Sequence, residues 1–146
     1  MSLLSVIVPC YNEEESVALF YQELTKNDPF FKEKEIELEL LYIDDGSKDG
    51  TVREVKKLIE QDSRVHIVSF SRNFGKEAAI FAGLAEAVGD CCVVMDCDLQ
   101  HPPETVIEMY RRWEEGYEVV EGVKHSRGKE SLGHKASAGL FYKIMT

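Results

Sequence analysis

At 146 residues, 44% hydrophobic and 30% charged, the chain reads as one globular domain that buries roughly two thirds of its unfolded surface, not as a disordered segment. A net charge of −10 argues against nucleic acid as a partner. No apolar run approaches the length of a membrane span and no signal peptide is visible; the four cysteines lack C-x-x-C spacing, so buried free thiols in a reducing compartment are expected and a zinc site is not.

Leu4 to Pro9 is an apolar run expected as the first strand. Asn12 is placed to cap the helix that follows, Glu15 completes a capping-box pattern, and Val17, Phe20, Tyr21 and Leu24 share one helical face. Asn27-Asp28-Pro29 ends that helix, and Phe30 to Glu35 reads as a charged connector. Ile36 to Ile43 alternates with Glu37 and Glu39 before turning fully apolar, so a second strand enters the sheet from solvent. It runs into the acidic, turn-rich Asp44-Asp45-Gly46-Ser47-Lys48-Asp49-Gly50. Thr51 and Glu54 suggest another capping box, on a helix whose core face is Val52, Val55 and Ile59.

Val65 to Phe70 is a third strand, and Ser71-Arg72-Asn73-Phe74-Gly75-Lys76 leads from it into a helix rich in alanine and glycine, suited to close approach to a sheet. Gly89-Asp90 turns into the apolar run Cys91 to Met95, a fourth strand. Pro103 suits the start of the next helix, where its missing N–H costs nothing, with Val106, Met109, Tyr110 and Trp113 as its stripe and an end near Gly116. Tyr117 to Val123 is a fifth strand. The segment from Ser131 has helical spacing, with Leu132, Ala136, Leu140 and Ile144 on one face. From Lys124 onward five basic residues stand against Glu130 alone, a local excess suited to a phosphate or a membrane surface.

Alternating strands and helices argue for a mostly parallel sheet with helices on both faces, a single domain over residues 1–146. Right-handed crossovers then gather the strand-to-helix loops 11–13, 44–49, 71–76 and 96–102 at one edge of the sheet, where open α/β sheets bind ligands. At that edge Asp96 and Asp98 follow a buried strand one residue apart. Two such carboxylates repel unless a positive charge lies between them, and a hard divalent cation fits, with Gln100 as a further oxygen donor. Helix capping by these acids is the competing reading.

No glycine-rich turn follows the first strand and no Walker pattern occurs, so bound phosphates would have to be met by a metal and by Arg72 and Lys76. Tyr11 is placed to face a base, and Asp44 or Asp45 to accept from a base N–H or a ribose hydroxyl; Asp49 suits capping. His66, His125 and His134 are scattered, and His101 reads as a loop residue.

The segments Val8-Pro9-Cys10-Tyr11-Asn12-Glu13, Asp44-Asp45-Gly46-Ser47 and Asp96-Cys97-Asp98-Leu99-Gln100 resemble the family 2 glycosyltransferases of GT-A fold, a Rossmann-like nucleotide-diphospho-sugar transferase architecture. Residues 71–79, 99–104 and 119–123 look like the bactoprenol (undecaprenyl-phosphate) glucosyltransferase branch, related to dolichol-phosphate mannose synthases. The resemblance implies inverting transfer of a hexose, foremost glucose from UDP-glucose, to a polyprenyl phosphate at the cytoplasmic membrane face. Pro9, Tyr11, Asn12, Glu13 and Asp45 or Asp44 would hold the nucleotide, with Arg72 and Lys76 near its phosphates. Asp96, Asp98 and Gln100 would place Mg²⁺ or Mn²⁺ on the diphosphate, and Asp96 and Asp98 count as the catalytic pair.

Relatives of this kind continue into an acceptor segment and membrane helices, so the chain is expected to be the donor-binding half of an inner-membrane parent: soluble, able to bind donor, and poorly active alone. An uncovered sheet edge would favour a homo-oligomer. Alternatives are another donor (GDP-mannose or UDP-GlcNAc), a non-catalytic nucleotide-binding module, and a haloacid-dehalogenase-type phosphohydrolase. The last is disfavoured by Leu99, where that family carries Thr or Val.

Overall fold

The computed structural model describes residues 2–99, 102–115, 119–121 and 140–143, the last two stretches as backbone. Its strands are β1 (Ser2–Cys10), β2 (Ile36–Asp44), β3 (Val65–Ser69), β4 (Cys91–Val94), β5 (Val119–Glu121) and β6 (Leu140–Lys143). The helices are α1 (Val17–Thr25), α2 (Asp28–Glu33), α3 (Thr51–Gln61), α4 (Lys76–Glu86) and α5 (Thr105–Glu114). The strands form a single sheet in the order β3-β2-β1-β4-β6-β5. The first four are parallel, and β6 runs antiparallel to both of its neighbours.

Strand alternation divides the core in two. Leu4, Val6 and Val8 of β1 join Leu38, Leu40 and Tyr42 of β2 and Cys91 and Val93 of β4 on one face, covered by α1, α2, α3 and α5. The Tyr42 hydroxyl is satisfied there by donating to the Val17 carbonyl at 3.0 Å. Ile7, Leu41, Ile43, Cys92 and Val94 point to the other face, where α4 lies. The small residues of α4 do what their size allows. Ala79 is fully buried, and a Cβ placed on Gly83 would come within 2.4 Å of Ile7 Cγ2, so the backbone of α4 rests directly on the sheet. All four cysteines are buried free thiols.

Several local expectations give way. Asn12 caps no helix: α1 begins at Val17, and Asn12 takes a left-handed turn (φ 53°) that ties it to another loop. Thr51 is inside α3 rather than at its cap, and Asp49 accepts its N–H at 2.9 Å instead. The connector at 30–35 is largely the short helix α2, pinned by the buried ring of Phe31, with Pro29 in its first turn. Pro103 precedes α5 by two residues, and the Thr105 hydroxyl bonds the Pro102 carbonyl at the helix start. Glu39 does not face solvent; it is buried, accepts the Ser5 hydroxyl at 2.6 Å, and anchors the turn at Val88.

The largest correction concerns the C-terminal stretch. Helical spacing there predicts a helix through Leu140, yet Leu140–Lys143 is strand β6. The edge of β4 offers a row of backbone partners, and Leu-Phe-Tyr suits a pleated surface, so sheet pairing wins over helical periodicity. With β6 in place β4 is not an edge, and the edge strands of the sheet are β3 and β5. Leu132, Ala136, Ile144 and the basic residues from Lys124 to Lys135 lie outside the described residues, as do Gln100, His101, Tyr117 and Val123. Among the described residues no helix is long and apolar enough to cross a membrane.

Candidate functional site

Parallel register brings the carboxyl ends of the strands to one level. Cys10 is opposite Asp44, and Asp44 is opposite Ser69. Ile7 is opposite Val94, and its carbonyl takes the N–H of Met95, so Asp96 leaves the sheet beside the end of β1. A cleft of about 250 Å³ opens there, lined by Pro9, Cys10, Tyr11, Glu13, Asp45, Lys76, Asp96, Cys97 and Asp98. Seven of the residues singled out from sequence thus meet in one cavity: Pro9, Tyr11, Glu13, Asp45, Lys76, Asp96 and Asp98.

The remaining described candidates make contacts outside the cleft lining. Asn12 donates its backbone N–H to Ser47 Oγ and accepts from the Lys48 N–H, both at 2.9 Å, stitching the first loop to the second. Asp44 is buried; one of its oxygens accepts the Ser47 N–H at 3.1 Å and the other the Ser69 hydroxyl at 3.0 Å. Arg72 lies over the Phe74 ring at 4.6 Å and is not among the cleft residues. Gln100 falls outside the described residues.

Asp45 has a double position. It lines the cleft, yet its carboxylate also receives the Phe74 N–H at 2.8 Å, the Gly75 N–H at 3.1 and 3.2 Å, and the Asn73 side-chain amide at 3.2 Å. It therefore latches the loop that leads into α4. Gly46 next to it has φ 75°, and a Cβ there would stand 2.3 Å from the Arg72 carbonyl carbon. Only glycine lets the two loops touch backbone to backbone.

Glu13 is held by its backbone N–H, which Thr51 Oγ1 accepts at 2.8 Å; Thr51 is fully buried. Burial first, and the Asp98 and Asp96 carboxylates after it, push the Glu13 carboxyl above its ordinary value. Leu99, which follows the Asp96-Cys97-Asp98 wall and packs on the core, adopts a left-handed backbone (φ 62°) that costs a branched side chain about 1–2 kcal/mol. Lys76, the first residue of α4, sets its ammonium 2.7 Å from Asp96 Oδ1.

Four carboxylates and one ammonium line the cavity among the described residues, an oxygen-rich and electron-rich set. It suits a hard divalent cation. No three described His, Cys, Asp or Glu side chains are grouped to hold an ion by themselves. An ion of the Mg²⁺ type takes one or two carboxylates and completes its shell with water and substrate phosphates, a demand that Asp96 and Asp98 can meet. Cys10 and Cys97, missed from sequence as cleft residues, form its floor. The Cys97 thiol beside it, and then burial, push the Cys10 thiol well up, as suits a buried structural cysteine. Adjacency to Pro9 and to the paired acids was the signal that could have found them. The latch residues Asn73 and Gly75 had no comparable signal. Among the described residues no histidine lines the cleft.

Comparison with known proteins agrees with this geometry. The model of the family described as Glycosyl transferase family 2 matches residues 5–144. An uncharacterized glycosyltransferase of Bacillus subtilis, YkcC, is 43% identical over 142 residues, 97% of this chain and 43% of its own. A prophage bactoprenol glucosyl transferase homolog of Escherichia coli is 38% identical over 141 residues, 97% of this chain and 45% of its own. The chain thus spans less than half the length of these curated relatives. Among solved structures, a mannosyltransferase of Pyrobaculum calidifontis in complex with GDP-Man and Mn²⁺ superposes with a TM-score of 0.71 at 26% identity, covering 86% of this chain and 36% of that one. The architecture is the GT-A glycosyltransferase fold.

Proposed function

The chain belongs to glycosyl transferase family 2, enzymes that transfer sugars, and from that premise we propose that it serves an inverting, metal-dependent transfer of glucose from UDP-glucose to a polyprenyl phosphate. Residues 1–146 supply the donor-binding half of that reaction, at the cytoplasmic face of a membrane in which the parent protein is anchored. The kinship with bactoprenol glucosyl transferases favours this acceptor and sugar. The haloacid-dehalogenase alternative falls with the family assignment.

The observation that carries the reading is the meeting of Asp96, Asp98, Glu13 and Lys76 in one cleft beside an exposed Tyr11 ring. Asp96 and Asp98, with Gln100, would hold Mg²⁺ or Mn²⁺, which when bound offsets the charge that gathers on a departing nucleoside diphosphate. Tyr11 and Pro9 offer an apolar surface to the nucleoside. Asp45 stands where a base or ribose donor would reach it, while Asn12 and Asp44 act by shaping the loops, and Arg72 by bracing Phe74. A phosphate acceptor is already largely anionic near neutrality, its second pKa being about 6, so this chemistry asks little of a general base.

Calorimetric titration of UDP-glucose, UDP-GlcNAc and GDP-mannose in the presence of Mn²⁺ tests the proposal. Binding of UDP-glucose that disappears on chelation and in Asp98→Ala, with an unchanged melting temperature, is the expected result. Preference for GDP-mannose or UDP-GlcNAc would reassign the donor. Absence of all nucleotide binding would leave a non-catalytic module.

A further inference from the structure

The cleft's single described ammonium is already engaged. Lys76 Nζ lies 2.7 Å from Asp96 Oδ1, with the lysine side chain 49% exposed and the aspartate 16%. We infer that Lys76 is an intramolecular counter-ion: it holds Asp96 while the cleft has no donor, competes with the divalent cation for that carboxylate, and transfers to the donor's diphosphate once the cation is in place. This rests on the donor-and-metal reading above and assigns the coupling between the two ligands.

The arrangement of root and head supports it. Lys76 opens α4, and the residue before it is fixed: the Gly75 N–H is held by the Asp45 carboxylate, and its φ of 106° sets the direction of the helix. A flexible four-carbon stem on an immobile root lets the ammonium move while the helix stays in place. Asp96 is largely buried, so the pair is more than a surface contact, yet the exposed lysine keeps it weak enough to exchange.

Charge then dictates the order of events. A cation reaching Asp96 must displace an ammonium and settle next to it. A diphosphate entering a cavity walled by Glu13, Asp45, Asp96 and Asp98 is repelled unless the cation and the ammonium both meet it. Each ligand removes the obstacle to the other, so cation and nucleotide bind with positive and reciprocal coupling.

Mn²⁺ binding to the 146-residue protein, followed by the electron paramagnetic resonance of free Mn²⁺ with and without UDP, tests this on wild type, Lys76→Met and Lys76→Arg. Circular dichroism melts check that each variant is folded. Lys76→Met should bind Mn²⁺ alone about two- to fivefold more tightly, the range set by a half-exposed ion pair. It should bind UDP at saturating Mn²⁺ about tenfold more weakly. Lys76→Arg should return both towards wild type. An unchanged or weaker affinity of Lys76→Met for Mn²⁺ alone overturns the counter-ion role, while Mn²⁺-dependent UDP binding by the wild type would still stand for the proposed function. A wild type that shows no Mn²⁺-dependent UDP binding overturns both.

Discussion

Asp45→Asn changes one carboxylate oxygen to an amide and leaves the volume alone. In the wild type Asp45 is 4% exposed, and its carboxylate receives two backbone N–H groups and one side-chain amide from residues 73–75. Asparagine keeps one acceptor oxygen and turns an NH₂ toward N–H donors, so at least one of these half-buried donors loses its side-chain acceptor. Losing a charge-assisted bond costs about 1.5–3 kcal/mol and orphaning a donor about 1–3. These overlap, and about 2–4 kcal/mol is expected in total. For a domain of this size that is a drop of roughly 6–13 °C in melting temperature. Because the latch aims the start of α4, Lys76 should lose its hold on Asp96, and nucleotide affinity should fall with stability. Thermal melts by circular dichroism and a UDP titration on the same variant read both. A variant that melts within 2 °C (roughly 0.6 kcal/mol) of wild type while losing nucleotide affinity would show that Asp45 acts on the nucleotide alone, and would refute its role as a latch.

Three further outcomes follow from the packing. Gly83→Ala should gain about 1 kcal/mol in helix propensity but lose about 1–3 to overpacking against the buried Ile7, for a net loss near 1 kcal/mol in urea denaturation; a stabilised variant would mean that α4 stands farther from the sheet. Arg64 bonds both Asp62 and Asp28, and with Tyr21 it holds the Asp62 carboxyl well below the ordinary carboxylate range. A depressed carboxylate stabilises fully above its unfolded value and loses that contribution as the pH falls through the folded one. Arg64→Met should therefore cost about 1 kcal/mol at pH 7, after discount for solvent screening, with the gap to wild type closing as the pH drops below about 4. Thr51→Val removes the acceptor of the Glu13 N–H and the hydroxyl partner of Asp49, so it should destabilise by about 1–3 kcal/mol and loosen UDP binding; unaltered UDP affinity in a folded variant would detach Thr51 from the site.

The amino-acid sequence alone carried the parallel core, because β1, β2, β3 and β4 are apolar runs bounded by turn residues and separated by helical stripes. It also carried the position of the site, since topology forces the loops after parallel strands to one edge whatever their detailed shape. Tyr11, Glu13, Lys76, Asp96 and Asp98 were legible for that reason: their chemistry stands beside strand ends. Which polar side chains of those loops line the cleft, and which are bonded elsewhere, appears only in the tertiary structure. Asn12, Asp44 and Arg72 look as well suited as Glu13 when read along the chain, but Asn12 is tied to Ser47 and Lys48 of the second loop, Asp44 to Ser47 and to the distant Ser69 hydroxyl, and Arg72 lies over the neighbouring Phe74 ring. Likewise Leu140–Lys143 has helical spacing and becomes a strand, because the open edge of β4 supplies hydrogen-bond partners that no local pattern can announce.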